Sequence, residues 1–259
     1  MDLRVIFGPA CADTLKQHAL AKLSELTEST FHETPCHVST FADGEQLPQI
    51  GENIRGTDVY IIQPTPALSE NLHIMLQLLQ AASYASAARV TAVFPYMGGL
   101  RQDRKDRPRV PITAALIAMK IEAAMVAAAQ KHVMVLHPHF PQIQGIFRIA
   151  NDLLYPTEIF ERKTSMLLGN DFSNLVPCAP DAGSAKLAEL YRRRFSTSSY
   201  AVGDKRRTND DTVEIKRILG EIKDQVVVIF DDIADTFGSM AAISERAYEE
   251  GAREIYGMV

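Results

Sequence analysis

Residues 226–240 read VVVIFDDIADTFGSM. Five apolar residues run into Asp231 and Asp232, and Asp235, Thr236, Gly238 and Ser239 follow within one turn. An apolar strand that ends in carboxylates and then hydroxyls, just ahead of a helix, offers two kinds of chemistry. The free N–H groups and the positive dipole end of a helix N-terminus suit a phosphate. Gly238 lets backbone approach a ligand closely, and Thr236 and Ser239 add hydroxyl donors. Carboxylates are poor neighbours for phosphate alone, but they accept hydrogen bonds from sugar hydroxyls or bind a divalent cation. A phosphorylated sugar accounts for both halves of the stretch. The plain alternative is a helix cap with solvated charge, and the complete strand–acid–loop–helix order disfavours it.

Five further clusters carry reactive side chains. RQDRKDRPR (101–109) holds five basic and two acidic residues. By composition it is a solvated loop or an RNA-binding patch, and its arginine forks also suit polyphosphate oxygens. FADGE (41–45) is a turn built on Asp-Gly. His137 and His139 lie two apart and invite zinc, but no further Cys or His stands at finger spacing. Asp181, in PDAG (180–183), follows a strand. Lys205 and Arg207 lie in AVGDKRRTNDD (201–211), a polar stretch with no apolar periodicity that reads as a solvated, mobile loop.

These clusters need elements to position them. Apolar runs of strand length (LRVIFG, DVYIIQPT, RVTAVFPY, HVMVLHPH, NLVPCAPD, SYAVGDK, QVVVIFDD, EIYGMV) alternate with helical patterns such as NLHIMLQLLQAASYA and SAKLAELYRRRF. Continuous apolar strands separated by helices argue for parallel sheets covered on both faces. Two doubly wound α/β units are expected, 1–150 and 151–259, with the boundary near NDLLYPTE (151–158). Open sheets of this kind bind ligands beyond the carboxyl ends of their strands, which is where the clusters fall.

Bulk properties narrow the class. With 46% hydrophobic and 23% charged residues and a net charge of -5, nothing favours nucleic acid or an anionic membrane as partner. The N-terminal MDLRVIFGPA lacks the basic and apolar regions of a secretory signal. The apolar stretch at 114–129 is interrupted by Lys120 and Glu122, so it reads as a buried helix rather than a membrane span. The three scattered cysteines, Cys11, Cys36 and Cys178, fit a reducing cytoplasm.

DDIADTFGS resembles the ribose-5-phosphate loop of the type I phosphoribosyltransferase fold. FADGE, FPYMGGLRQDRK (94–105), RVPIT (109–113), QIQGIF (142–147), PDAG and DKRR (204–207) are similar, in the same order, to motifs of the ribose-phosphate pyrophosphokinase family. The resemblance covers essentially the whole chain. It implies two tandem domains of that fold, the first on the ATP side and the second on the ribose 5-phosphate side. It implies that Phe41, Asp43 and Glu45 reach the adenine of a neighbouring subunit, and that Arg101, Gln102 and His139 bind ATP. It places Mg2+ at His139 and Asp181, catalysis at Lys205 and Arg207, and the sugar phosphate at Asp231, Asp232, Asp235, Thr236, Gly238 and Ser239. The implied assembly is a homo-oligomer based on dimers, with a hexamer as the larger form, located in the cytoplasm.

The chain departs from that pattern in places. His137 and Pro138 stand where the family has Asp and Leu, Phe140 replaces a small residue, and Arg148 and Ala150 replace Asp and Pro, while Asp152 is kept. Ser184 replaces the second Gly of the usual PDAGG, and Ser239 a Thr. The second domain reads as lacking the family's C-terminal strand and helix. The expected reaction is transfer of pyrophosphate from ATP to the 1-hydroxyl of ribose 5-phosphate, giving phosphoribosyl pyrophosphate and AMP. Two alternatives stand beside it: a non-catalytic regulatory relative, favoured by the altered 137–150 segment, and a phosphoribosyltransferase, which shares the sugar loop.

Overall fold

The computed structural model describes residues 2–26, 30–66, 68–207 and 213–259, except for the side chains of residues 206, 207, 213 and 214. The chain divides into two compact units, Met1–Tyr155 and Pro156–Val259.

In the first unit the elements are β1 (Leu3–Phe7), α1 (Asp13–Leu26), β2 (Phe31–Glu33), β3 (Cys36–Thr40), β4 (Gln46–Ile50), β5 (Asp58–Ile62), α2 (Leu68–Tyr84), β6 (Arg89–Phe94), α3 (Thr113–Ala124), β7 (Gln130–Leu136) and β8 (Ala150–Leu154). The sheet runs β2-β1-β5-β6-β7-β8 and every pairing in it is parallel. Ile6, Val59, Ile61, Val90, Ala92, Phe94, Val133 and Val135 form the sheet side of the core. Met75, Leu78, Leu79 and Ala82 of α2 and Ile117, Ala118 and Ile121 of α3 close over them. The intervening Tyr60, Ile62, Val93, Met134 and Leu136 are half-buried, so this sheet is more one-sided than its continuous apolar runs suggest. Division falls after Tyr155 rather than after residue 150, because Ala150–Leu154 pairs with β7 as the edge of the first sheet. Among the described residues no helix is long and apolar enough to cross a membrane.

The second unit contains α4 (Thr157–Leu168), β9 (Leu175–Ala179), α5 (Ala185–Arg194), β10 (Ala201–Arg207), β11 (Val213–Leu219), β12 (Val226–Phe230), α6 (Gly238–Glu249) and β13 (Glu254–Met258). Its strand order is β11-β10-β9-β12-β13, parallel except for β10 with β11. All five residues of β12 are buried. Val227 and Ile229 pack with Met240, Ile243 and Ala247 of α6. Val226, Val228 and Phe230 face the opposite cluster of Phe160, Leu175, Tyr191 and Phe195, where the Tyr191 and Phe230 rings stack with centroids 3.9 Å apart. A strand covered on both sides has no polar face to keep, hence the unbroken apolar run.

Two antiparallel hairpins differ from the all-parallel reading. β3 and β4 form a separate two-stranded ribbon. β10 and β11 extend the second sheet at its edge, with a bulge between Gly203 and Lys205. The solvated loop expected at 201–211 is therefore strand up to Arg207, while residues 208–212 lie outside the described residues. Ile215 and Ile218 of β11 are buried and join the core beneath α6.

Candidate functional site

In the second sheet the chain leaves β9 for β10 on one side and returns to β12 on the other. The crevice between β9 and β12, at their carboxyl ends, is therefore the topological switch point. Two turns face it: Pro180–Ser184 after β9, and residues 231–237 after β12.

Asp181 begins the first turn. Its Oδ1 accepts from the Gly183 N–H at 2.9 Å and its Oδ2 from Lys205 Nζ at 3.1 Å. Lys205 Nζ also donates to Ser239 Oγ at 3.0 Å, at the head of α6. Ser184 Oγ donates to Asp231 Oδ1 at 3.2 Å. Four of the residues singled out in the sequence, Asp181, Lys205, Asp231 and Ser239, thus meet across strand ends, with Ser184 added as a fifth. Lys205 is no solvated loop cation: its side chain is only 18% exposed, held there because β10 lies beside β9. Gly203 makes that approach possible, since a Cβ at this position would stand 2.5 Å from the Pro180 carbonyl oxygen and 2.7 Å from Ile243 Cδ1.

Asp231 is 9% exposed. Burial first, and then the neighbouring Asp232 charge, push its carboxyl up to about 6, against the bonds it accepts from Ser184 and from the Asp232 N–H. After it the chain turns outward: Asp235, Thr236, Phe237 and Gly238 are exposed. Phe237 takes a left-handed conformation (φ 57°) and precedes α6 without a side-chain cap, so the first N–H groups of α6 face the same loop as Thr236 and Ser239. Asp231 lies deep in the crevice, and the hydroxyls of Thr236 and Ser239 stand with the first N–H groups of α6 nearer its rim, an arrangement able to take a sugar hydroxyl and a phosphate.

The first sheet has its own switch point, between β1 and β5, and there the protein fills it. Gln63 is fully buried and its Oε1 accepts from the Ala10 N–H at 3.2 Å. Gly8 yields room to that amide, as a Cβ there would stand 2.1 Å from Oε1. The sequence reading missed this plug; its signal is a polar Gln at the end of an apolar strand.

The other predicted residues lie around this unit. Phe41, Asp43 and Glu45 form the tip of the β3–β4 hairpin, where Asp43 Oδ1 accepts from the Glu45 N–H at 3.0 Å and Gly44 has φ 90°. The Phe41 ring is 52% exposed. Gln77 of α2 donates to the Gln46 carbonyl oxygen at 3.0 Å, fixing the hairpin to the helix. Arg101 and Gln102 are exposed in the loop before α3. Gln102 Oε1 accepts from Thr113 Oγ1, and its carbonyl oxygen from the Ala114 N–H at 3.2 Å. His139 is exposed between buried Pro138 and Phe140. Phe140 joins Ile143 and Phe147 in the core. Asp152 pairs with His132 at 3.0 Å.

No cluster of three or more metal-ligating side chains occurs among the described residues, and both Asp181 oxygens accept from protein donors. Such a donor set does not fit a metal held by the chain alone. It fits Mg2+ carried on substrate phosphates, which needs only one or two protein carboxylates. The Arg207 side chain lies outside the described residues.

A family model, the N-terminal domain of ribose phosphate pyrophosphokinase, matches residues 10–124. The ribose-phosphate pyrophosphokinase of Thermosipho africanus is 39% identical over 227 residues, 86% of this chain and 69% of that one. That of Rhodopirellula baltica is 37% identical over 261 residues, 98% of this chain and 77% of that one. The crystal structure of phosphoribosylpyrophosphate synthetase from Mycobacterium smegmatis matches with a TM-score of 0.84 at 27% identity, covering 99% of this chain and 82% of that one.

Proposed function

The chain belongs to the ribose-phosphate pyrophosphokinase family, and from that premise we propose that it transfers pyrophosphate from ATP to the 1-hydroxyl of ribose 5-phosphate, releasing AMP. One observation carries the reading: Asp181, Ser184, Lys205, Asp231 and Ser239, drawn from three strand ends, converge on one crevice of the second unit. A regulatory relative without turnover has no need to keep a part-buried lysine there.

In this reading Thr236, Gly238 and Ser239 bind the sugar phosphate with the N-terminus of α6, near Asp235. Asp231 and Asp232 accept from ribose hydroxyls and orient the 1-hydroxyl. That oxygen attacks the β-phosphorus of ATP in line, and its proton is lost as the new ester forms. The chain supplies positioning and charge neutralisation rather than a covalent intermediate. Lys205 stands where the two loops meet, and with Arg207 it would neutralise charge developing on the transferring group. Arg101, Gln102 and His139 would bind the nucleotide, with Phe41, Asp43 and Glu45 of a neighbouring subunit against the adenine. His139 and Asp181 are the proposed protein contacts for Mg2+, which would offset the charge of the substrate phosphates. The test is incubation with ATP, Mg2+ and ribose 5-phosphate, following AMP. Sugar-dependent AMP is the expected result. Its absence, with sugar binding intact, would favour the regulatory alternative. Consumption of phosphoribosyl pyrophosphate with a nucleobase would favour a phosphoribosyltransferase.

A further inference from the structure

Ser184 occupies the position immediately before α5, yet its hydroxyl makes no capping bond to that helix. A serine at a helix N-cap ordinarily accepts from the helix's own N–H groups. Here the hydroxyl instead crosses the switch point to Asp231 Oδ1, 47 residues away in sequence. Asp231 Oδ1 accepts both from Ser184 Oγ at 3.2 Å and from the Asp232 N–H at 3.0 Å. The Asp231 N–H is tied on the other side to the Met258 carbonyl oxygen of β13. The backbone of Asp231 and its Oδ1 are thereby fixed from both turns of the crevice.

We infer that Ser184 is a positioning residue for Asp231, holding its carboxylate in the orientation that accepts from a ribose hydroxyl. The inference rests on the assignment of this crevice to ribose 5-phosphate. A glycine in this position, as in the motif PDAG resembles, could not make the bond, so the bridge is a property of this chain. The charged groups facing Asp231 are few. Asp232 is beside it, Asp235 follows on the same loop, and Asp181 and Lys205, from the β9 and β10 ends, are bonded to each other. Ser184 is the neutral donor among them, and it opposes the burial and the Asp232 charge that push the Asp231 carboxyl up.

The experiment uses the full chain and its Ser184→Ala, Ser184→Gly and Ser184→Thr variants. Titration calorimetry measures ribose 5-phosphate, with inorganic phosphate as the probe for the α6 loop alone. Losing one hydrogen bond to a charged acceptor should weaken sugar phosphate binding about 3- to 10-fold in the Ala and Gly variants. Phosphate binding should be unchanged, and Thr should restore the affinity. The deficit should be larger at about pH 6 than at about pH 8, because an Asp231 without its donor is protonated more readily. The Asp231 carboxyl resonance should titrate at higher pH in the Ala variant than in the wild type. Wild-type sugar affinity and unchanged Asp231 titration in Ser184→Ala would overturn the inference and leave the site assignment standing. An equal loss of phosphate and sugar phosphate affinity would also overturn it, as it would mark a distorted loop. Failure of the unmodified chain to bind ribose 5-phosphate would overturn the assignment and the inference with it.

Discussion

Asp231 and Lys205 are two charges of the candidate site that are largely withdrawn from solvent. Asp231 has its carboxyl raised to about 6 by burial and by Asp232, above the ~3.9 of an unfolded chain. A group raised on folding contributes stability while both states are protonated and loses it as pH climbs through the folded value. Ionised Asp231 therefore costs the native state above about pH 6, and the cost is absent below about pH 4. Allowing for partial solvent screening, the cost is about 1–2 kcal/mol. Asp231→Asn keeps an acceptor for Ser184 and the Asp232 N–H. It should melt higher than wild type at about pH 7.5, with the advantage vanishing toward pH 4, while losing sugar affinity. Melting curves with a pH-independent difference would contradict this. Lys205 bridges Asp181 and Ser239. Lys205→Ala should cut turnover on the order of 10²–10³-fold with small changes in Michaelis constants. Because the side chain is part-buried and paired, about 1 kcal/mol of stability should go with it. Arg207→Ala should lower turnover comparably. Steady-state kinetics with near-normal turnover in both variants would remove these two from the catalytic role.

At the level of elements, the site depends on how closely β10 and its turns approach β9. Gly203, two residues before Lys205, lies against Ile243 and under the carbonyl oxygen of Pro180, the residue that precedes Asp181. Gly203→Ala must push the β9 turn and the lysine apart. It should cost about 1–3 kcal/mol through overpacking and weaken ribose 5-phosphate more than ATP. Urea unfolding and calorimetry on this variant measure the two effects separately. Normal stability with a normal sugar affinity would mean that the turn yields freely and does not hold the site. The contrast with the first unit makes the same point, because there Gly8 admits the Gln63 amide into the corresponding crevice. One topology occurs in both units, and small residues beside large ones decide whether its crevice is filled.

For the whole molecule, the proposed adenine contacts sit on a hairpin tip whose aromatic ring faces solvent. If a neighbouring subunit supplies Phe41 while each site uses its own Lys205, two defective chains can repair one another. Phe41→Ala and Lys205→Ala subunits, each nearly inactive alone, should recover partial activity when unfolded and refolded together, since mixed assemblies contain sites with both residues intact. Sedimentation should show a dimer or larger species. A fully active monomer, or a mixture no more active than its parts, would rule out a shared site.

The α/β class, its strand-and-helix alternation and the place of residues 231–239 after an apolar strand were legible in the chain itself. Local patterning determines them: VVVIF can only be a strand buried on both faces, and DDIADTFGS can only follow its carboxyl end. The resemblance then attached a chemistry to these residues. Tertiary structure decided what patterning along the chain does not encode, which is who meets whom across long separations. A stretch that reads as solvated loop by composition became β10 because β9 and β11 flank it, and Lys205 was buried with it. Ser184 reaches Asp231, 47 residues away, because the switch point sets the two turns side by side. Phe140, within a segment that resembles a cation site, joined the core with Ile143 and Phe147. In each case the deciding energy comes from burial and hydrogen bonding between residues far apart in sequence, and only the folded chain brings those together.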